Sequence, residues 1–243
     1  MGVGWILGFV ALWATTSLAV LPTPREVLGA LGSLLCDRAL LAHLLSSLGS
    51  GLTAVTWSTA ISLGLAYLSV VPAVRPLADF VGKFRFWGFA GATVLFTLLL
   101  QGGHALKVAL VTFGITGFFV RSMCDEVQAI PRERFEYART LGMGPWRIAW
   151  EVVVLGTLDR AFDVLRQNAA MAWMLLTMVE TLVRSEGGIG VVLANQTKHM
   201  DLAGVAAMQA IVFAIGIVQD ALIGAFKSLV CPYAALKTKR SRS

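Results

Sequence analysis

Residues 130–156 of this 243-residue chain read IPRERFEYARTLGMGPWRIAWEVVVLG, and this stretch governs how the rest of the sequence is interpreted. Pro131 suits the first turn of a helix, and Gly142 suits a left-handed helix end. Gly144 and Pro145 then begin a second short helix. Because the stretch is charged and interrupts an otherwise apolar chain, it predicts a compact helix-turn-helix held apart from the apolar segments.

The first of these two helices has two distinguishable faces. Phe135, Ala138 and Leu141 lie three residues apart and predict one packing face. Arg132 and Glu136 are four residues apart and predict an ion pair on another face. An exposed unit of this shape suits contact with a partner protein. Periodicity alone leaves a solvated connecting loop as an equal alternative.

The composition of the whole chain is that of a membrane protein. The residues are 57% hydrophobic and 14% charged, with a mean hydropathy of +0.75. Soluble domains average about 45–50% apolar and about 25% charged. The net charge of +6 fits basic loops on the cytoplasmic side of a bilayer. Since no basic face is interleaved with aromatic residues, a nucleic-acid partner is not expected.

The apolar runs predict an all-α polytopic membrane protein with about six transmembrane helices, each near the ~20 residues that cross a bilayer. Residues 1–22 are interpreted as an N-terminal transmembrane helix rather than a cleaved signal, because no Lys or Arg precedes Arg25. Residues 42–230 form the main membrane domain, and residues 231–243 form a basic cytoplasmic tail. The predicted spans are residues 3–21, 44–71, 86–100, 108–120, 164–183 and 202–226.

Residues 23–41 predict an amphipathic segment on the periplasmic membrane surface. Thr23 is placed as the N-cap, Pro24 as the first helical residue and Glu26 as the residue that closes a capping box. The apolar residues that follow recur at helical spacing, which predicts a single apolar stripe. They are Val27, Leu28, Leu31, Leu34 and Leu35.

The distribution of Lys and Arg predicts that both termini are cytoplasmic. With six spans in that orientation, basic residues are far more numerous in the inside loops and tail than in the outside loops. This bias places the polar stretch 122–163 in the cytoplasm. Lys107 and Arg121 flank the short fourth span and are expected to snorkel to opposite interfaces.

Residues 130–156 resemble the EAA loop of ABC importer permeases, with Glu136, Ala138 and Gly142 at the matching positions. The resemblance extends over about two hundred residues, and its ordered set of motifs is similar to the nitrate/sulfonate/taurine branch of that family. These motifs are LPTPREVLGAL (21–31), GGHALKVAL (102–110), Glu180, SEGGIGVVL (185–193) and Asp220.

The resemblance implies a type I (MetI-like) permease fold and a set of partners. Two permease subunits, as a homodimer or heterodimer, would form the path across the inner membrane, residues 42–230 being the permease domain and residues 122–163 the coupling loop. That loop would dock on a dimeric cytoplasmic ABC ATPase. A periplasmic or lipid-anchored solute-binding protein would deliver a small solute, most simply an anion such as nitrate, a sulfonate or taurine.

The same resemblance assigns the ATPase-coupling residues. Glu136 would make polar contacts to the ATPase, Ala138 would permit close approach, and Gly142 would form the bend, with Tyr137 and Arg139 in the same docking stretch. The chain has no GxxxxGK[ST] phosphate loop. The chain itself is therefore expected to be no enzyme and to bind no cofactor, with ATP used by the partner subunit.

The sequence departs from the family pattern at two prolines. Leu155 stands where a proline usually closes the EAA stretch, and FRFWGFAGATVLF (84–96) lacks the usual proline near the third span. Such prolines kink or stop helices. Their absence leaves a non-transporting scaffold or regulatory subunit on the same fold as the alternative function.

Polar residues within the fifth span are candidates for lining the translocation path. Arg166, Gln167 and Asn168 suit an anion path, and Glu180 suits a gate, because charged groups inside spans usually face a cavity or bundle interior. For Glu180 and Asp220, the favoured alternative is a structural hydrogen bond between helices or snorkelling at a helix end. No metal site is expected, since the three histidines are isolated.

An intramembrane enzyme is the remaining class of function. Such an enzyme needs a nucleophile beside a base at one membrane depth. Ser46, Ser47 and Ser50 lie near His43 in the sequence and are the best available pairing. No nucleophile motif accompanies them, so this hypothesis is the weakest.

Overall fold

The computed structural model describes residues 22–71, 73–100 and 102–232, and in those ranges the chain is helical with no strands. The predicted first span and most of the basic tail fall on residues 1–21 and 233–243, outside the described residues. The α-helices are α1 Pro24–Cys36, α2 Arg38–Leu68, α3 Arg75–Lys83, α4 Phe89–Leu99, α5 Gly103–Gln128, α6 Arg132–Thr140, α7 Pro145–Ile148, α8 Leu155–Leu182, α9 Ile189–Lys198 and α10 Leu202–Val230.

Three short non-α turns connect these helices. Two are 3-10 turns, at Phe84–Phe86 and Arg184–Glu186. The third is a π-helical turn at Ala149–Val154, which joins α7 to α8.

The start of α1 confirms the predicted capping box. The Thr23 hydroxyl accepts a hydrogen bond from the Glu26 amide at 3.4 Å, and the Thr23 amide donates to Glu26 Oε2 at 2.9 Å. Leu31 and Leu34 pack against the main core, and the helix lies along α10. One side of the predicted amphipathic helix is therefore covered by the protein.

Three described helices are long and apolar enough to cross a bilayer: α2, α5 and α10. They contain the predicted spans at 44–71, 108–120 and 202–226, except that α2 ends at Leu68. The predicted span at 86–100 becomes α4, which has only 11 residues and is about half the length that a spanning helix needs. The predicted span at 164–183 lies within α8, which has 28 residues but carries four charged residues in its first half.

Both ends of the predicted polar loop 122–163 are helical. Helix α5 continues to Gln128 and α8 begins at Leu155, so only residues 129–154 form a separate insert. The charged residues at these helix ends are paired, which lets the helices continue past the apolar runs. Arg121 pairs with Asp125 at 2.7 Å within α5, and Arg160 of α8 pairs with Glu126 of α5 at 2.7 Å.

The core forms where α2 and α8 pack against α5. The buried face of α2 consists of small residues, which allow close approach of helix backbones in membrane proteins. Ser58 on this face accepts a hydrogen bond from Thr116 of α5 at 3.1 Å. Beyond Leu40 near the start of the helix, the buried residues of α2 are Ser47, Ser50, Ala54, Ser58, Ser62 and Ala66.

Candidate functional site

The insert at residues 129–154 folds as the predicted helix-turn-helix. Helix α6 ends at Thr140, and Gly142 adopts φ +69°, the left-handed conformation expected of it. The Met143 amide donates to the Ala138 carbonyl at 3.2 Å, and the Gly142 amide donates to the Arg139 carbonyl at 2.9 Å. These bonds close the helix end and turn the chain into α7.

Most of the surface of α6 is exposed. Ala138 is buried at 3% exposure, whereas Tyr137 is 68% and Leu141 is 56% exposed. The predicted packing face is therefore wrong at Leu141. The ion pair that their spacing allows is not formed: within the described chain, Arg132 and Glu136 are both exposed and do not pair.

The exposed residues of α6 border an open cleft of about 610 Å³ between α6 and the segment leading into α8. Tyr137 and Leu141 line one wall, and Glu151 and Val152 of the π-turn line the other. Glu136 and Arg139 lie exposed on the same helix. The five predicted coupling residues thus lie in one short stretch. It carries the aromatic side chain of Tyr137, the opposite charges of Glu136 and Arg139, and the backbone turn at Gly142.

The insert is joined to α8 without a break in hydrogen bonding. The Leu155 amide donates to the Trp150 carbonyl, the i to i−5 bond of a π-turn. Arg147 pairs with Glu151 at 2.6 Å across this turn, and the hydrogen bond to that carboxylate raises the pKa of the guanidinium above its ordinary value. A continuous helix therefore runs from Pro145 to Leu182.

Helix irregularities occur at both places where the sequence lacks the family's prolines. The π-turn Ala149–Val154 directly precedes Leu155. The 3-10 turn Phe84–Phe86 and the extended residues Trp87 and Gly88 interrupt the chain before α4. The chain is therefore interrupted before α4 without a proline, whereas at Leu155 the helix is distorted by the π-turn but not broken.

A buried cluster of polar residues lies at the opposite end of α8. Lys107 of α5 and Glu180 of α8 are fully buried, with Lys107 Nζ 3.7 Å from Glu180 Oε1. The prediction that Lys107 snorkels is therefore wrong. The Lys107 ammonium group donates a hydrogen bond to the Gly187 carbonyl at 2.5 Å. This bond replaces a hydrogen bond to water that the ammonium group loses on burial. A lone Lys within an apolar run was the sequence signal for this role.

Besides Lys107 of α5, two further helices supply hydrogen bonds to the Glu180 carboxylate. Ser47 of α2 donates to Oε1 at 2.7 Å, and the Gly190 amide at the start of α9 donates to Oε2 at 2.9 Å. A Cβ at position 190 would lie 2.7 Å from the Cβ of Glu180, so glycine is needed for this approach. The cluster thus fixes α2, α5, α8 and α9 to one another.

The serines near His43 do not form a catalytic pair. His43 Nδ1 accepts from the Gly188 amide at 3.0 Å, Ser46 donates to the Glu186 carbonyl, and Ser50 contacts His104. Ser47 is bonded to Glu180. Within the described residues, none of these serines is hydrogen-bonded to His43, so the pairing that the intramembrane-enzyme hypothesis predicted is not formed; Ser50 lies 3.3 Å from Nδ1 of His104 instead.

The other predicted path residues face different directions. Gln167 is exposed on α8, whereas Asn168 is buried and donates from Nδ2 to the Val164 carbonyl at 2.8 Å. Arg166 makes a two-pronged contact with Asp220 of α10, with Nε 2.8 Å from Oδ1. Glu180 belongs to the buried cluster. Only Gln167 and Arg166 of the four reach the surface of the chain.

Residues 48–230 match the family model described as binding-protein-dependent transport system inner membrane component. The chain is 24% identical over 230 residues to the taurine transport system permease protein TauC of Escherichia coli (strain K12), a match that covers 88% of this chain and 83% of that relative. A solved chain of the MetNI methionine ABC transporter, in inward-facing conformations, has a TM-score of 0.56 at 16% identity, covering 81% of this chain and 98% of the other. That structural likeness shows the MetI-like permease fold.

Lys107→Met tests the buried cluster. Removing one partner of a buried ion pair leaves an uncompensated charge, which costs roughly 3–5 kcal/mol. We expect the thermal unfolding midpoint of the purified chain in detergent to fall strongly, and Glu180→Gln added to Lys107→Met to recover part of the loss. Lys198→Met, at an exposed position, is the matched control. Equal midpoints for Lys107→Met and Lys198→Met would contradict the assigned role.

Proposed function

The chain belongs to the family of binding-protein-dependent transport inner membrane components, and we propose that it is the membrane-spanning subunit of an ATP-driven importer for a small anion. As a family member it is an inner-membrane permease subunit of an ABC importer, and the family is not one of catalytic enzymes. Such permeases work with an ATPase and a solute-binding protein. The energy source and the solute are the parts we propose.

The observation that carries the proposal is the exposed insert and its continuous connection to α8. Tyr137 and Leu141 present apolar surface beside the charged Glu136 and Arg139, which is the composition of a protein-docking surface. Docking there by a cytoplasmic ABC ATPase dimer would move the insert. Because Pro145 to Leu182 is one helix, that displacement would pass directly into the membrane domain.

The partners follow from this arrangement. ATP would be bound and hydrolysed by the separate ATPase, and this chain would hold no cofactor. A second permease copy, identical or related, would complete the path, and a periplasmic or lipid-anchored binding protein would deliver solute. The excess of basic residues in the insert and in the α3 region supports cytoplasmic termini.

The solute class is supported by the taurine transport relative, with which this chain shares 24% identity. Taurine, other sulfonates and nitrate are the anions we propose to test. The scaffold alternative was motivated by the two missing prolines. Since the helix is interrupted before α4 and distorted by a π-turn before Leu155 even without these prolines, we favour transport.

We infer that Gln167 lines the path. It lies on a stripe of exposed α8 residues that recurs every three or four positions and includes Asp163 and Met174. A polar side chain such as Gln167 on a membrane helix is costly in lipid and is normally turned toward a cavity or a partner helix. Asn168 and Glu180 lie on the interior side of α8, so we assign them to holding the helix rather than to contact with solute.

Glu136→Arg and Gly142→Pro test the proposed docking. Charge reversal disrupts a polar contact, and proline, whose φ is fixed near −65°, cannot adopt the φ of +69° at position 142. We expect each variant to insert normally but to lose ATP-dependent uptake of labelled taurine, methanesulfonate or nitrate in vesicles that contain the ATPase and binding protein. Glu186→Arg, which makes the same charge change outside the insert, is the control. Undiminished uptake in both variants would refute docking through this insert.

Gln167→Cys tests the path. A water-soluble, charged thiol reagent reacts with a thiolate, which forms at a wet surface and not in hydrocarbon. We expect the reagent to block uptake by Gln167→Cys, and the transported anion to slow the reaction. Val94→Cys, on an exposed apolar position of α4, is the matched control. Equal reactivity at positions 94 and 167, or uptake unaffected by modification at 167, would remove Gln167 from the path.

A further inference from the structure

Two ion pairs join α8 to α10. The guanidinium of Arg166 faces both carboxylate oxygens of Asp220, with Nε 2.8 Å from Oδ1. Three residues earlier on α8, Asp163 Oδ1 lies 2.5 Å from Lys227 Nζ. Positions three apart share one face of a helix, so the two pairs form consecutive rungs between the same two helices.

The polarity of the rungs alternates. Arg166 supplies the cation of the first rung from α8, whereas Lys227 supplies the cation of the second rung from α10. Gly224 lies between Asp220 and Lys227, and a Cβ there would be 3.6 Å from the Arg166 guanidinium carbon. If α10 slid by one turn, Arg166 would face Gly224 and both pairs would be broken. The rungs therefore specify a single register of α10 against α8.

The first rung is accessible rather than enclosed: the side chains of Arg166 and Asp220 are 37% and 51% exposed. A single charge near mid-membrane costs about 2.5–3.5 kcal/mol on insertion scales. Mutual pairing offsets part of that cost. A bidentate contact also holds the guanidinium in a fixed orientation, with Nε and Nη2 donating to Asp220.

Helix α10 depends on α8 for any connection to the insert. Its principal packing neighbours are α1, α8 and α9, and of these only α8 continues into the insert. A displacement of the insert thus reaches α10 through the α8–α10 contact. The two rungs lie in the half of α8 nearest the insert, where such a displacement enters.

We propose that the Arg166–Asp220 and Asp163–Lys227 pairs form a clasp that makes α10 move together with α8, and that Arg166 is a positioning residue rather than a ligand for the transported anion. The proposal rests on the proposed function, because the movement in question is the one driven through the insert. The sequence predicted that Arg166 lines an anion path; the proposal assigns it instead to holding α10 against α8.

The two roles of Arg166 are separated by exchanging the charges. The variants are Arg166→Asp, Asp220→Arg and their combination, which restores a pair of reversed polarity. The mismatched combination Arg166→Asp with Glu186→Arg has the same net charge as the exchange, but Glu186 is exposed outside the clasp. The thermal unfolding midpoint of the purified full chain and ATP-dependent uptake of taurine, methanesulfonate or nitrate are measured for all of them.

The clasp predicts that each single variant lowers the midpoint and reduces uptake by roughly tenfold, within the range of coupling between contacting residues. The exchange should recover both quantities, and the mismatched combination should recover neither. A midpoint that recovers without uptake would show that a cation is required at position 166 itself, which overturns the proposal. Single variants with unchanged midpoints would overturn it too.

If the unsubstituted chain showed no uptake, the transport proposal would fail, while the midpoints would still decide whether residues 166 and 220 are coupled.

Discussion

The continuous helix from Pro145 to Leu182 is the constraint on which the rest of this structure depends. Its 28-residue α8 portion is about 42 Å long at 1.5 Å per residue, enough to cross a bilayer. A helix is stiff because each peptide group is bonded along its axis. A force applied at one end of the helix is therefore transmitted to the other end. Which neighbouring helices move with it depends on the contacts at each end.

The two ends of α8 are held by different chemistry. At the far end, the Lys107–Glu180 pair is buried with every contact supplied by protein. Breaking it would leave a charge without compensation, so this end is a fixed anchor for α2, α5 and α9. At the near end, the pairs around Arg166 and Arg160 are exposed. A single exposed pair is weak, so the two pairs of the α8–α10 contact act together to keep these helices in register while both move.

Two glycines next to the buried Lys107–Glu180 pair are required by its geometry. Gly188 adopts φ +125°, where its amide reaches His43, and Gly190 leaves room for the Glu180 side chain. The SEGGIG stretch thus wraps its backbone around a buried carboxylate. Gly142 serves the opposite end of the molecule by turning the chain from α6 toward α7.

Local signals in the sequence predicted local structure well. The Thr23 capping box and the left-handed Gly142 follow from interactions within four residues, and both are confirmed. Hydropathy placed three spans but shortened α5 and α8, because ion pairs between helices, such as Arg160–Glu126, keep charged ends helical. Hydrophobic periodicity describes one segment at a time, so it cannot predict an ion pair between residues that are distant in the sequence.

The candidate site divides in the same way. The insert was predicted from its own residues, together with the family resemblance. The burial of Lys107 required knowing that the Gly187 carbonyl, 80 residues away, would accept a hydrogen bond from its ammonium group. The two-pronged contact between Arg166 and Asp220, 54 residues apart, was equally hidden. Glu180 was expected either to line a path or to bond another helix, and the structure places it in the second arrangement.

The central claim is that the exposed insert lies in the cytoplasm, where an ATPase can reach it. Its most direct test is Tyr137→Cys in a chain whose Cys36, Cys124 and Cys231 are replaced by alanine, labelled with a membrane-impermeant maleimide. Tyr137 is 68% exposed, so the introduced thiol will be accessible from its own side of the membrane. The account predicts labelling in inverted vesicles and none in intact right-side-out vesicles. Labelling in right-side-out vesicles alone would contradict it.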